Sequence, residues 1–214
     1  MDKNNELRAL VGEKEKVFYE GKPDKKCFIF ECIFNPMLFI AIFWGLIDML
    51  FLGAFTFASF QSGEMGMMLF IFFFMIIHMM PVWLYLGGVI FSVTRYKNTY
   101  YIVTDRAVYA SSGIFHKNYN SKPFAELSHV DLHRGVFDQH FGVGDIILTS
   151  NQISTVSSSN NTPVTAGITL SSIANYTEVY NTIKKLQQDI YTDVMYPNDL
   201  RPKENHGYDT EYKG

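Results

Sequence analysis

Two long apolar stretches separated by only four residues constrain the fold of this chain more than any other feature of its sequence. Residues 36–60 contain one charged side chain, that of Asp48, and residues 65–91 contain none. A helix needs about 20 apolar residues to cross roughly 30 Å of hydrocarbon, so each stretch can span a bilayer with some tilt. As two core helices of a small soluble protein, they would have to be buried all round. The sequence therefore predicts an antiparallel transmembrane hairpin over residues 36–91.

The distribution of basic residues predicts how this hairpin is oriented. The link between the two stretches, residues 61–64, contains no Lys or Arg. The basic residues that flank the hairpin on its other side are Lys22, Lys25, Lys26, Arg95, Lys97 and Arg106. Because cytoplasmic loops carry an excess of Lys and Arg, we expect a multi-pass protein of the cell (inner) membrane with both termini in the cytoplasm.

The polar remainder divides into an N-terminal segment, residues 1–35, a β-rich region, residues 92–192, and a flexible polar tail, residues 193–214. Within the β-rich region, β-branched and aromatic residues predict strands over residues 99–104 and 107–111, joined by a tight turn. Residues 16–20 of the N-terminal segment form another candidate strand. The sequence leaves open whether that strand returns to pair with the β-rich region.

The end of the β-rich region predicts a helix. Residues 150–165 are mostly Ser, Thr and Asn, which indicates a long solvated loop between strands. Asn175 and Glu178 then form a capping pattern, and apolar residues follow at the spacing of one helical stripe. These residues are Val179, Ile183, Leu186 and Ile190. Together the patterns predict a small, mainly-β sandwich or barrel capped by a C-terminal amphipathic helix.

A set of turn, glycine and core positions in this region forms a recognisable arrangement. The positions are Tyr100, Thr104, Asp105, Ala107, Tyr109, Gly113, Pro123, Phe124, Leu127, Val130, Phe141, Gly142 and Gly144, followed by the helix after Asn175. The arrangement resembles the bacterial PH-like domain family. In the two-helix, membrane-anchored form of that family, a Gly-x-Pro turn precedes the hairpin, as Gly21-Lys22-Pro23 does here. The resemblance implies a seven-stranded, helix-capped PH-like sandwich with a binding or scaffolding role.

Basic residues beside the expected sandwich are candidates for contacts with lipid or with a protein partner. They are Arg95, Lys97, Arg106, Lys117 and Lys122. PH folds elsewhere bind phosphoinositides through a basic pocket in their first hairpin. Here the sequence places that hairpin at residues 99–111, where it offers only Arg106. The resemblance therefore implies a binding domain without implying phosphoinositide recognition.

Asp48 and His78 form a candidate polar pair inside the membrane. Counted from the middle of the link, their depths differ by only about 1.5 Å, and both lie near the bilayer centre. A charge there costs roughly 2.5–3.5 kcal/mol, so each group should be neutral, paired or turned toward protein. We expect a polar clasp between the two helices or a contact with another subunit. Proton or ion handling, or no direct contact, are the alternatives.

His129, Asp131 and His133 form a candidate metal-binding row. Alternation along a strand puts all three on one face, with Val130 and Leu132 on the other. Two imidazoles and a carboxylate can ligate zinc. The same spacing is also that of an ordinary polar outer face over an apolar inner one, so the row is a weak candidate.

The remaining features exclude several classes of protein. A net charge of −3 without a basic run argues against nucleic-acid binding, and two cysteines cannot form a disulfide framework. No nucleophile–base motif is present, so we expect no enzymatic activity and no cofactor. The sequence predicts a membrane-anchored PH-like module that recognises a protein partner or the membrane surface; besides the lipid bilayer, the expected partner is another protein or a second copy of the chain. The alternative is an oligomeric membrane protein that uses Asp48 and His78 in proton or ion handling.

Overall fold

The computed structural model describes residues 4–63, 65–154 and 164–195. Contacts divide the chain into two compact units. The sandwich unit comprises the residues up to Phe28 and those from Arg95 onward, and the helical unit comprises Ile29–Thr94. The helices are α1 (Asn4–Arg8), α2 (Lys25–Ile33), α3 (Pro36–Ser62), α4 (Met65–His78), α5 (Met80–Asn98), α6 (Val136–Phe141) and α7 (Tyr176–Met195).

Antiparallel strands build two sheets in the sandwich unit. The first has the order β1-β2-β3-β4, with β1 (Val17–Gly21), β2 (Tyr100–Thr104), β3 (Ala107–Ser112) and β4 (Asn118–Pro123). The second has the order β5-β6-β7, with β5 (Leu127–His133), β6 (Gly144–Ser154) and β7 (Val164–Ile173). The strands predicted at residues 99–104 and 107–111 are confirmed as β2 and β3, which pair with each other about the predicted turn.

Strand β1 precedes the helical unit in sequence, yet it pairs with β2, which follows that unit. The register places Gly21 opposite Tyr101. The candidate strand at residues 16–20 therefore does return to the β-rich region. This pairing also corrects the assignment of the first hairpin. Residues 99–111 form the second hairpin of the sandwich, and the first connection, between β1 and β2, contains the whole helical unit.

The core of the sandwich unit is shared by both sheets and α7. Its fully buried members from the second sheet are Ile146, Leu148, Leu170 and Ile173. Val179, Ile183 and Leu186 of α7 belong to the same buried cluster. Burying one such side chain stabilises a fold by about 1.5–3 kcal/mol. The apolar stripe of α7 therefore accounts for its position against the sheets.

The N-terminal segment covers the other face of the first sheet. Leu7 of α1 is buried in a second apolar cluster with Ile102 and Tyr109. The Glu15 carboxylate accepts hydrogen bonds from the hydroxyl groups of Thr104 (2.7 Å) and Tyr109 (2.9 and 3.2 Å). Because both faces of β2 and β3 are covered, these strands are buried almost continuously rather than at alternate residues.

Three features of the sandwich unit differ from the sequence-based expectation: one additional helix and the ends of two sets of elements. The sequence pattern does not predict α6, which precedes β6. Strands β6 and β7 extend into the region expected to be a loop, residues 150–165, of which 155–163 lie outside the described residues. Helix α7 continues to Met195, and the rest of the expected tail lies outside the described residues.

Helix α3 covers the first apolar stretch and extends it to Ser62. Asn35 caps its first turn with a side-chain hydrogen bond. Gly63 ends it in the left-handed conformation, with φ of 72°, and its amide donates to the carbonyl of Ser59 (3.0 Å). By length and composition, the helical run Lys25–Gln61 is able to cross a membrane.

The second apolar stretch forms two helices rather than one. Helix α4 ends at His78, α5 begins at Met80, and the chain bends by 52° between them. Pro81 has no amide hydrogen to donate and crowds the preceding turn, which explains the break. Helix α5 continues to Asn98, beyond the expected boundary at Phe91. Taken together, the bent pair passes the same test of length and composition as the first run.

Two indole groups replace helical hydrogen bonds at this break. The Trp44 Nε1 group donates to the carbonyl of His78 (2.9 Å), and Trp83 Nε1 donates to the carbonyl of Ile76 (2.9 Å). In an uninterrupted helix these carbonyls would accept from backbone amides one turn later. The two tryptophans therefore supply hydrogen-bond donors to backbone carbonyls near the break, and these carbonyls do not need water as a partner.

Candidate functional site

Asp48 and His78 lie side by side in the helical unit. His78 Nδ1 is 2.8 Å from Asp48 Oδ1, so the two side chains share a hydrogen bond. Asp48 is only 2% exposed, and its second oxygen, Oδ2, has no hydrogen-bond partner among the described residues. The rings of Phe74 and Trp44 lie 5.3 Å from the His78 ring and hold it in place. The structure thus brings together the two residues that the sequence places at one depth.

This polar pair borders a cleft of about 520 Å³ between α3 and α4. The other lining residues are Phe51, Phe55, Phe70, Ile71, Phe74 and Met75. All six are apolar, so Asp48 and His78 are the ionisable residues of this lining. A proton relay requires a series of such groups, whereas a clasp requires two. The arrangement can hold a proton between two side chains and fits a clasp better than a relay.

The five basic candidates lie at opposite ends of the first sheet rather than in one pocket. They are Arg95, Lys97, Arg106, Lys117 and Lys122. Arg95 and Lys97 precede β2, and Lys117 precedes β4; the register of β2, β3 and β4 brings these positions to one end. Arg106, in the turn between β2 and β3, and Lys122, opposite Val108, lie at the other end. Lys117 also forms an ion pair with Glu6.

The metal-binding row predicted on β5 does not form one cluster. His129, Asp131 and His133 are all exposed. His133 instead lies with Asp138 of α6 and Asp145 of β6, and one potential ligand atom from each of these three lies within 4.8 Å of the others. Of the predicted row, His133 alone lies in a potential metal-binding cluster of the described residues, and its partners come from α6 and β6.

Asp138 owes its position to the start of α6. One carboxylate oxygen accepts a hydrogen bond from the amide of Gly135 (2.8 Å), as a residue in the first helical turn does when it caps that turn. The other oxygen accepts from the thiol of Cys27, with Sγ 3.5 Å away. Both Asp138 and Cys27 are buried. The spacing of Gly135 and Asp138 is a sequence signal for the helix start, but it does not reveal the contact with Cys27.

Asp145 reaches the same place from the start of β6. The amide of Ser172 donates to its Oδ1 atom (2.7 Å). Burial raises the pKa of the Asp145 carboxyl above its ordinary value; the Ser172 amide and His133 oppose this effect, and Asp138 adds to it. Two acidic groups are thus held close together in a partly dry environment, where an additional positive charge would be favourable.

The chain matches the family model described as bacterial PH domain over residues 39–187, which is more than half of its length. No curated protein and no solved structure gives a significant match. The matched region begins in α3 and ends in α7, so it includes most of the helical insertion as well as strands β2 to β7. The resemblance seen at individual positions is therefore confirmed at the level of the family. The chain belongs to the bacterial PH domain family.

Proposed function

We propose that this protein is a non-enzymatic, membrane-anchored PH-like binding module whose helical unit is a transmembrane hairpin. The observation that supports this best is the pairing of β1 with β2 across the helical insertion. PH-like domains are generally binding modules, and an anchor raises the effective concentration of the domain toward any partner at the same surface.

The strand pairing constrains the number of membrane crossings. Because Gly21 pairs with Tyr101, the chain leaves the sandwich and returns to it at the same place. An insertion whose two ends meet must cross a membrane an even number of times. The run that contains α3 provides one crossing, so the bent pair of α4 and α5 is assigned the return. Residues 36–91 then form the anchor, and both ends of this anchor lie on the same side of the membrane.

The basic residues at the junction suggest which surface the module faces. Lys22, Lys25, Lys26, Arg95 and Lys97 lie close in sequence to the points where the chain leaves and re-enters the sandwich. Near anionic lipids, each such residue is worth about 1 kcal/mol. We therefore place the sandwich in the cytoplasm, against the inner leaflet, with the membrane surface or a membrane protein as its partner.

Helix α7 is the proposed cap of the sandwich. Its buried stripe lies in the core, and the side-chain amide of Gln187 donates to the carbonyl of Leu127 at the start of β5 (2.9 Å). This contact satisfies a backbone group of an edge strand, so α7 covers part of an edge that would otherwise be open to pairing. The edges of β1 and β4 are the more accessible places for a peptide strand to add.

A pair of topology reporters tests the anchor. An alkaline phosphatase module inserted after Gly63 should be active, because it would lie outside the membrane, and a fluorescent protein fused after Gly214 should be bright in the cytoplasm. A bright fusion with inactive phosphatase at Gly63 would contradict two crossings. In the matched control, the phosphatase is fused after Gly214 instead. It would then lie in the cytoplasm and should be inactive.

Crosslinking in intact cells tests the binding role. The full-length chain and an Asp48→Asn/His78→Gln variant are crosslinked, purified from their membranes and compared. One stoichiometric partner recovered with both would support a binding module. Recovery of self-crosslinked oligomers alone, lost in the variant, would support function within the membrane and the alternative role of the polar pair.

A further inference from the structure

Asp138 lies with His133 and Asp145 at one end of the second sheet of the sandwich unit, and its carboxylate also accepts a hydrogen bond from the Cys27 thiol. Cys27 comes from α2, His133 from the end of β5, Asp138 from α6 and Asp145 from the start of β6. We propose that they bind one Zn²⁺ ion. The site shares only His133 with the row predicted on β5, and it does not depend on the proposed membrane anchor.

The distances agree with tetrahedral zinc. With Zn–S of about 2.3 Å and Zn–O of about 2.0 Å, a sulfur and an oxygen ligand of one tetrahedral ion lie about 3.5 Å apart. The Cys27 Sγ atom lies 3.5 Å from Asp138 Oδ1. Donor atoms of His133, Asp138 and Asp145 lie within 4.8 Å of one another. Asp138 therefore has potential co-ligands on both sides: the Cys27 thiol, and the side chains of His133 and Asp145.

Apart from His133, no basic side chain among the described residues is paired with the carboxylates of this cluster. Among the described residues, neither Asp138 nor Asp145 forms an ion pair with Lys or Arg. The nearby Arg134 donates to the backbone carbonyls of Val143 (Nε, 2.8 Å) and Asp138 (Nη2, 3.4 Å) and places its guanidinium over the ring of Tyr176 (4.6 Å), so its hydrogen bonds go to carbonyls rather than to the carboxylates. Buried charges in proteins are paired or coordinate metals, and a divalent cation supplies the missing charge.

The surroundings also have features of a metal site. Backbone amides of Gly135 and Ser172 hold the two carboxylates in place, as residues behind metal ligands commonly do. The Ser172 hydroxyl is buried and has no hydrogen-bond partner among the described residues. His133 is exposed and gives the ion a path in. A ligand set of sulfur, nitrogen and oxygen favours Zn²⁺, whereas Mg²⁺ prefers oxygen ligands alone.

Equilibrium dialysis with elemental analysis tests the site. The full-length chain, purified in detergent without a polyhistidine tag and stripped with a chelator, is dialysed against micromolar Zn²⁺ or Mg²⁺. We expect about one equivalent of Zn²⁺ and no retained Mg²⁺. His133→Ala and Asp145→Asn should each weaken Zn²⁺ binding at least about tenfold. The matched His129→Ala/Asp131→Asn variant should bind as the wild type does.

Two results would overturn the proposal. The first is a wild-type protein that retains less than about a tenth of an equivalent of Zn²⁺. The second is Zn²⁺ binding that is lost in His129→Ala/Asp131→Asn but kept in His133→Ala and Asp145→Asn. Because His133 is exposed, its replacement keeps the test valid should Asp145→Asn fail to fold.

Substitution of Co²⁺ for Zn²⁺ then tests whether the Cys27 thiolate is a ligand. Its sulfur-to-metal absorption should vanish in Cys27→Ser and persist in Cys32→Ser, and its absence from the wild type would remove Cys27 from the site.

Discussion

The sandwich unit and the helical unit differ in where they place their large apolar side chains. Leu148, in the sandwich core, is 0% exposed, whereas Leu50, in the middle of α3, is 75% exposed. Asp48, two residues before Leu50, is buried. One residue type thus lies inside one unit and outside the other. The difference teaches that burial follows different rules in the two units: water drives leucines inward in the sandwich unit, whereas exposed leucines in the helical unit are what the proposed membrane anchor requires.

The outer surface of the helical unit supports this comparison. Its most exposed large apolar side chains include Phe39, Phe43, Met49, Phe60, Phe70 and Ile77. Monomeric soluble proteins rarely expose contiguous apolar patches larger than a few hundred Å². A bilayer would cover these side chains, and a second copy of the chain would cover part of them. The following predictions separate those cases and test how far the two units differ.

The same substitution in both units should have very different effects. Leu148→Ala leaves a cavity in the sandwich core and should lower the free energy of unfolding by about 3 kcal/mol. Leu50→Ala should change stability by no more than about 0.5 kcal/mol, because no packed side chain is removed from a core. Urea unfolding of the detergent-solubilised chain, followed by proteolysis, reports on the sandwich unit.

The helical unit has its own probe, because both tryptophans, Trp44 and Trp83, belong to it. Their fluorescence during titration with a denaturing detergent follows that unit separately. A loss of about 3 kcal/mol in this transition for Leu50→Ala would break the comparison. It would mean that Leu50 is packed against protein, and it would point to self-association through the outer face of α3.

The apolar and periodic parts of the fold could be predicted from the sequence because one physical term dominates each. The stripe Val179, Ile183 and Leu186 has a helical period, and in the structure these side chains are buried in the sandwich core. Depth counting alone placed Asp48 and His78 together, because a helix advances by a fixed rise per residue. The family resemblance rests on turn and core positions, which is why it identifies a fold and no ligand.

Long-range convergence could not be predicted in the same way. Nothing in the spacing of Cys27 and Asp138 indicates that they meet, since their contact depends on how α2 and α6 are placed by the rest of the fold. The row on β5 was predictable only as an alternation of polar residues. The sequence alone leaves the pairing of β1 with β2 open because the helical insertion separates the two strands along the chain. The register of an antiparallel pair can be assigned only when both strands are known to be neighbours.

Loss of a part-buried hydrogen bond in the sandwich unit, between Tyr109 and Glu15, should have an intermediate effect. Tyr109→Phe removes the hydroxyl that donates to Glu15 and should lower the free energy of unfolding by about 1–1.5 kcal/mol at neutral pH. Burial, together with the hydrogen bond and charge of Glu15, raises the pKa of Tyr109 from 10.0 to about 12. The raised value means that the neutral hydroxyl is stabilised in the folded state. Its contribution is complete below pH 10 and is lost as the pH rises toward 12.

The pH dependence of unfolding by urea, measured from pH 8 to 11.5, checks this sign. The wild type should lose stability more steeply above pH 10 than Tyr109→Phe does, so that the two approach each other. Tyr191→Phe, at an exposed position of α7, is the matched control and should follow the wild type. A difference between wild type and Tyr109→Phe that grows with pH would contradict the assigned role of Glu15.

The smallest expected effect is the coupling between Asp48 and His78. If the proposed anchor is correct, a double-mutant cycle with Asp48→Asn and His78→Gln should give a coupling of about 0.6 kcal/mol and no more than about 1.7 kcal/mol, the range found for hydrogen bonds within membranes. The detergent titration followed by tryptophan fluorescence measures it. Asp48→Asn combined with Trp83→Phe is the control cycle and should be additive, because the Trp83 Nε1 group donates its hydrogen bond to the carbonyl of Ile76 and not to Asp48.

A coupling above about 3 kcal/mol between Asp48 and His78 would indicate a fully desolvated ion pair. The polar interior of the helical unit would then be a charged site, and the alternative role in proton or ion handling would gain support over the clasp.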